Sequence, residues 1–219
     1  MRLSSIEKKI HPALYNIISK DFPELRPAQA KAIEAGLLER KNLLVCTPTA
    51  SGKTLIAELA MMQAIYNNIG KAVYIVPLKA LASEKYEYFK NKYKDIKVAL
   101  SIGDTDSSDT YLERYDIIIT VSEKLDSLIR HKAPWLRYVS TIIIDEIHLM
   151  NDSHRGPTLE VVITILRKVL KKAQFIALSA TIGNPKELGE WLDAEVVMDD
   201  WRPLELHKGI YHEGSVRFY

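Results

Sequence analysis

Residues 42–54 of the 219-residue chain read NLLVCTPTASGKT, and no other stretch restricts the possible folds as much. Leu43, Leu44, Val45 and Cys46 form a short unbroken apolar run, the mark of a strand buried on both faces. A loop containing Pro48 and Gly52 follows, then Lys53, Thr54 and an apolar, helix-like segment reaching about residue 68. Strand, tight loop, Gly-Lys-Thr and helix in that order make a cradle for phosphate. Loop N–H groups over Thr47, Thr49, Ala50, Ser51 and Gly52 can converge on an anion, and the helix N-terminus adds partial positive charge. Lys53 is then expected to neutralise the β- and γ-phosphates of a nucleotide, with the Thr54 hydroxyl on Mg²⁺. The general phosphate-loop pattern opens with glycine, where this chain has Thr47. A Gly-Lys-Thr tripeptide without this setting is usually a surface turn.

The same alternation continues along the chain. Runs at 72–77, 98–102, 116–121, 141–146 and 175–179 read as strands, and helices are expected over 78–93, 122–131 and about 157–172. Ahead of the loop, Ile6, Ile10, Leu14, Ile17 and Ile18 predict one helix capped by Ser4 or Ser5. A second helix is expected over 27–40, opening at Pro27. Short apolar runs alternating with helices imply a mostly parallel central sheet with helices on both faces and right-handed crossovers. Asp145 and Glu146 follow three isoleucines, which places them at the carboxyl end of a buried strand, the edge where open α/β sheets bind ligands. One acid there can hold Mg²⁺ while the other orients and deprotonates an attacking water.

The lysines at 79, 85, 90, 92, 94 and 97 read mostly as the wet face of one helix. Near the end, Leu204, Leu206 and Ile210 are spaced as on a half-buried strand. Glu213-Gly214-Ser215 reads as a turn and 216–219 as the opening of another strand, so the sequence is expected to be cut at a domain junction. An apolar fraction of 47% suits a globular core, and a formal charge of +2 neither suggests nor excludes a nucleic-acid partner. The single cysteine, Cys46, reads as a buried inert thiol. No apolar run approaches the roughly 18–20 residues of a membrane span, and the charged MRLSSIEKKI start lacks the apolar segment of a signal peptide. A cytoplasmic protein is expected.

Several short motifs, in order, resemble superfamily 2 helicases. TPTASGKT at 47–54 is similar to their first motif, in which an initial Thr or Ala is usual, and Asp145-Glu146-Ile147-His148 to their DExH box. Ser179-Ala180-Thr181 resembles their third motif, and Pro77-Leu78-Lys79-Ala80-Leu81-Ala82 their nucleic-acid-contacting motif Ia. Ser122-Glu123-Lys124 with the following LDSLIR, and RGPTLE at 155–160, resemble the superkiller-like group, most closely its archaeal Hjm-type DNA helicases. The resemblance runs from Phe22 to Pro203. It implies a RecA-like P-loop NTPase domain over 27–200, preceded by a helix and adenine-side loop over 1–26. Residues 201–219 would begin a hinge to a second RecA-like domain.

Roles follow from the resemblance, position by position. Glu146, Asp145 and Lys53 would serve catalysis, Thr54 and Asp145 would hold Mg²⁺, and Gln29 would read the adenine edge of ATP. Phe22 either packs the base or is ordinary core; Arg26 either braces the base or caps the loop. His148, with Ser179 and Thr181, would couple nucleotide state to the neighbouring domain, the plainer alternative being a histidine that satisfies a buried hydrogen bond. Pro77, Lys79, Ala80, Ser122 and Lys124 would hold the backbone of a single strand without reading its sequence. Val121 stands where many relatives have Thr, which removes one hydroxyl contact.

The implied activity is ATP-driven 3′-to-5′ unwinding of single-strand-containing or forked DNA, in repair or replication restart. The alternatives are an RNA helicase or remodeller of the same group, or a non-catalytic nucleotide-binding domain. Arginines of the second domain complete such ATP sites, so the 219 residues alone are expected to be monomeric and to hydrolyse ATP scarcely.

Overall fold

The computed structural model describes residues 1–103, 108–204 and 207–218. Strands β1 (Leu43–Cys46), β2 (Lys71–Val76), β3 (Val98–Ser101), β4 (Ile117–Val121), β5 (Val139–Ile144), β6 (Gln174–Ser179) and β7 (Glu195–Met198) form one sheet in the order β3-β4-β2-β5-β6-β1-β7. Every neighbouring pair is parallel. All seven carboxyl ends therefore lie on one edge.

The apolar runs that looked featureless in sequence divide by alternation. Leu43, Val45, Ala72, Tyr74, Val76, Ile117, Ile119, Ile143, Ile176 and Leu178 enter one core, beneath helices α1 (Pro12–Asp21), α2 (Pro27–Glu34), α3 (Lys53–Tyr66) and α4 (Lys79–Lys92). Their sequence neighbours Leu44, Cys46, Val73, Ile75, Ile118, Ile142, Ile144, Phe175 and Ala177 enter the other, beneath α5 (Ser122–Arg130), α6 (Gly156–Val169) and α7 (Pro185–Leu192). Successive side chains of a strand point to opposite faces, so covering both faces demands apolar residues throughout.

Several expectations need correction. The first helix is broken: a 3-10 segment covers Leu3–Lys9, and α1 starts afresh at Pro12 with the His11 ring accepting from the Ala13 N–H at 3.2 Å. Proline lacks the N–H a helix interior needs but suits a first position. The second helix ends at Glu34, because Gly36 turns the chain at φ 103°. Helix α7 and the short edge strand β7 were not anticipated. Beyond them, β8 (Gly209–His212) and β9 (Ser215–Phe218) form an antiparallel hairpin exposed along its whole length, not a half-buried strand. Leu206 and Tyr219, which that reading included, lie outside the described residues.

Nor is the lysine run on α4 uniformly wet. Glu58 of α3 is fully buried and accepts from the hydroxyls of Tyr88 (2.9 Å) and Tyr93 and from the Lys92 ammonium (2.5 Å). A buried carboxylate without such partners would be costly. Lys92 thus fastens α4 to α3, and Lys85 on the same face is nearly as enclosed.

Candidate nucleotide and nucleic-acid sites

Lys53 and Thr54 follow β1, and Asp145 and Glu146 follow β5. One strand, β6, lies between them, so the two sets start about 10 Å apart by strand spacing. Their side chains share one cleft of about 340 Å³, with Arg26 and Pro203 on its rim.

The loop leading to Lys53 is held by its own atoms. The Thr47 N–H donates to the Ser179 carbonyl at 3.2 Å, and the buried Thr47 and Ser51 hydroxyls share a hydrogen bond of 2.7 Å. Thr49 and Ala50 form the exposed apex. Gly52 sits at φ 95°, and a Cβ there would fall 2.3 Å from Gln29 Nε2. Glycine is needed here for its backbone conformation and for room. The Lys53 ammonium donates to the Thr47 (2.9 Å) and Pro48 (3.3 Å) carbonyls, so it lies folded over the loop. Burial holds its pKa below the usual lysine range, against the opposing pull of Glu146 and Asp145.

Arg26 and Gln29 brace this loop from α2. Arg26 donates to the Ala50 carbonyl and lies over the Trp201 ring, 5.5 Å from its centroid. Gln29 is 1% exposed; its oxygen accepts from the Arg26 N–H (2.8 Å) and its nitrogen donates to the Gly52 carbonyl (3.1 Å). Each of these bonds uses half of what the amide offers, so a second N–H and a second lone pair stay available for the adenine edge expected of Gln29. Its observed work is to lock α2 to the loop. Phe22 stands as the core alternative has it. Its ring packs on the core under the Lys92 ammonium at 5.0 Å, away from the cleft.

Asp145 is engaged at both oxygens: Oδ1 accepts from the Glu146 N–H (3.1 Å) and Oδ2 from the Tyr74 hydroxyl (2.9 Å). Burial and the nearby Asp145 charge raise the Tyr74 pKa well above normal, so that hydroxyl stays a donor. Lys85 Nζ lies 3.9 Å from Asp145 Oδ2 and 3.3 Å from Thr54 Oγ1. A single cation therefore stands near both oxygens, which are the donor type that Mg²⁺ takes, directly or through water. Tyr74 and Lys85 escaped the sequence reading. Tyr74 resembled any strand residue, and Lys85 any helix-face lysine.

Glu146 occupies the left-handed region (φ 52°) directly after β5. Its carboxylate is 3.3 Å from His148 Nδ1, and the same nitrogen is 3.4 Å from the Ala180 N–H. One ring nitrogen cannot serve both partners: protonated, it donates to Glu146; bare, it accepts from Ala180. His148 thus touches the acidic pair and the Ser179-Ala180-Thr181 segment together. Ser179 is buried, its carbonyl holding Thr47, while Thr181 is exposed.

On the other half of the edge, α4 and α5 start from the neighbouring strands β2 and β4. Pro77 is half-buried, whereas Lys79 and Ala80 are exposed at the start of α4. Ser122 is 5% exposed, and its hydroxyl donates to Glu123 at 3.2 Å. Lys124 overturns its expectation as a strand contact. Its side chain is 4% exposed and pairs with Asp109 at 3.0 Å, because this turn of α5 faces inward.

The DEAD/DEAH box helicase family model matches residues 26–188. Among curated proteins, the ATP-dependent DNA helicase Hel308 of Methanocaldococcus jannaschii is 54% identical over 211 residues, an alignment covering 92% of this chain and 17% of that protein. Its namesake in Pyrococcus abyssi is 55% identical over 198 residues, covering 90% and 27%. The one in Caldivirga maquilingensis is 48% identical over 219 residues, covering 98% and 29%. The crystal structure of the DUF1998 helicase MrfA bound to DNA superposes with a TM-score of 0.77 at 30% identity, covering 88% of this chain and 30% of that one. With DNA and AMPPNP bound, the same helicase superposes with a TM-score of 0.77 at 31% identity. The chain spans between 17% and 29% of the length of these curated relatives.

Proposed function

The chain belongs to the DEAD/DEAH box helicase family, and on that footing we propose that it is the first RecA-like, ATP-binding motor domain of an ATP-dependent DNA helicase akin to the Hel308 proteins. The observation that carries this reading is the meeting of Lys53, Thr54, Asp145 and Glu146 in one cleft at the carboxyl edge of a parallel sheet. Lys53 swings from its loop carbonyls onto the phosphates and neutralises them. Thr54 and Asp145 would hold Mg²⁺, which would supply charge neutralisation at the phosphate oxygens. Glu146 orients the attacking water and takes its proton; His148 passes the state of Glu146 to the Ser179–Thr181 segment through its shared ring nitrogen.

Single-stranded or forked DNA, moved along 3′-to-5′, is the proposed substrate, held by backbone contacts at Lys79, Ala80 and the amides opening α5. DNA is preferred to RNA on the strength of relatives about half identical to this chain and described as DNA helicases. A second RecA-like domain supplies the arginines that complete the ATP site, and a cytoplasmic location belongs to the same proposal.

The test is Glu146→Gln in the full-length protein. It is expected to keep ATP binding and lose DNA-stimulated ATPase by about 10²–10⁴-fold. A full-length wild type without ATPase activity would favour a non-catalytic nucleotide-binding domain instead.

A further inference from the structure

Lys85 has a place that the motor reading does not use. Its ammonium lies 3.3 Å from Thr54 Oγ1 and 3.9 Å from Asp145 Oδ2, the two oxygens assigned above to Mg²⁺. It is also the one lysine of α4 that reaches the nucleotide cleft. We propose that Lys85 and Mg²⁺ compete for this pair of oxygens, so that Lys85 tunes uptake of the metal–nucleotide complex and links it to α4. The proposal rests on the cleft being a nucleotide site.

Two positive charges cannot share so small a seat, because each loses in repulsion what it gains from the carboxylate. Lys85 is held loosely enough to yield. Neither contact is short, and its side chain keeps 13% exposure. Asp145 would keep the Tyr74 hydroxyl and the Glu146 N–H when Lys85 leaves. Helix α4 itself cannot slide to make room, because Lys92, two turns further on the same face, is pinned to buried Glu58 at 2.5 Å. The movement therefore belongs to the Lys85 side chain. The exposed start of α4 at Lys79 and Ala80 lies less than two turns before Lys85.

A purely attractive role for Lys85, drawing in phosphate, predicts the opposite sign, and the two are separable. Binding of Mn²⁺ with ADP to the 219-residue chain would be followed by electron paramagnetic resonance, for wild type and Lys85→Met. Lys85→Met is expected to lower the Mn²⁺ concentration at half-saturation by about three- to tenfold, with binding of ADP alone no tighter than in wild type. Unchanged or weaker Mn²⁺ binding overturns the competition. A wild type that binds neither ADP nor Mn²⁺–ADP overturns the nucleotide-site reading and the proposal together. If Lys85→Met fails to fold, wild type still answers: acylation of the Lys85 amine, measured by mass spectrometry, should speed up when Mg²⁺–ADP is added. Slower or unchanged acylation of Lys85 under saturating Mg²⁺–ADP overturns the proposal.

Discussion

The two halves of the carboxyl edge are built differently. At the tips of β1, β5 and β6, charged groups face one another across a cleft and are bonded internally: Lys53 to its loop carbonyls, Asp145 to Tyr74, Glu146 to His148. At the tips of β2 and β4, the groups expected to meet a strand separate into two kinds. Lys79 and Ala80 are exposed, whereas Ser122 and Lys124 are turned inward. The lesson concerns lysine. Lys124 and Lys92 serve as struts, each closing a pair with a buried or nearly buried carboxylate, while Lys53 and Lys85 stand in the cleft where chemistry is expected. The closeness of the carboxylate partner, rather than charge or burial, separates the two kinds: 2.5 and 3.0 Å for Lys92 and Lys124, 3.9 Å for Lys85.

The largest effect should come from a strut. Lys124→Ala leaves Asp109 without its ammonium partner in a nearly closed setting and is expected to cost about 3–5 kcal/mol of stability, read as a lower chemical-denaturation midpoint. Lys79→Ala in the full-length protein should change stability by less than about 0.5 kcal/mol. Its effect should appear instead as weaker single-strand binding with a salt slope shallower by about one. If Lys124→Ala is as stable as its parent, or Lys79→Ala alters stability and not binding, the division between strut and contact collapses.

A smaller effect is expected at Gly52. Gly52→Ala must hold a side chain at φ 95° against Gln29 Nε2, 2.3 Å from the new Cβ. It should cost about 1–3 kcal/mol and weaken ADP binding, both measurable by thermal shift with and without nucleotide. An alanine variant binding ADP normally would show that the Gln29–Gly52 bond is dispensable.

The smallest effect is in pH. Burial lowers the Lys53 pKa from 10.5, and bound phosphate would raise it, so the nucleotide complex binds the extra proton. Affinity is then full below the free-protein pKa and falls as pH rises through it. ADP affinity, followed by calorimetry, should begin to fall at a lower pH than an exposed lysine would give. A decline only above pH 10.5 would mean that Lys53 is solvated rather than enclosed.

The parallel sheet and the acidic pair were legible because each rests on a local rule. A strand buried on both faces must be apolar at every position, and Gly-Lys-Thr after such a strand has few other uses. The edge strand β7 was hard to see, since only Val197 of EVVM is buried and its apolar run is three residues long. Trp201 and Pro203 looked like linker; Pro203 lines the nucleotide cleft and Trp201 lies under Arg26 at its rim only because the chain folds back there.

What the sequence determined by itself is therefore the strand order along the chain, the phosphate loop, and the carboxylates that face it, all set by patterns within a few residues of one another. The tertiary structure alone decided which residues meet across long separations: Tyr74 and Lys85 at Asp145, Gln29 under Gly52, Lys124 against Asp109. A periodic pattern tells which face of a helix or strand is covered, but not what stands opposite. That depends on the order of strands in the sheet, which no local spacing encodes.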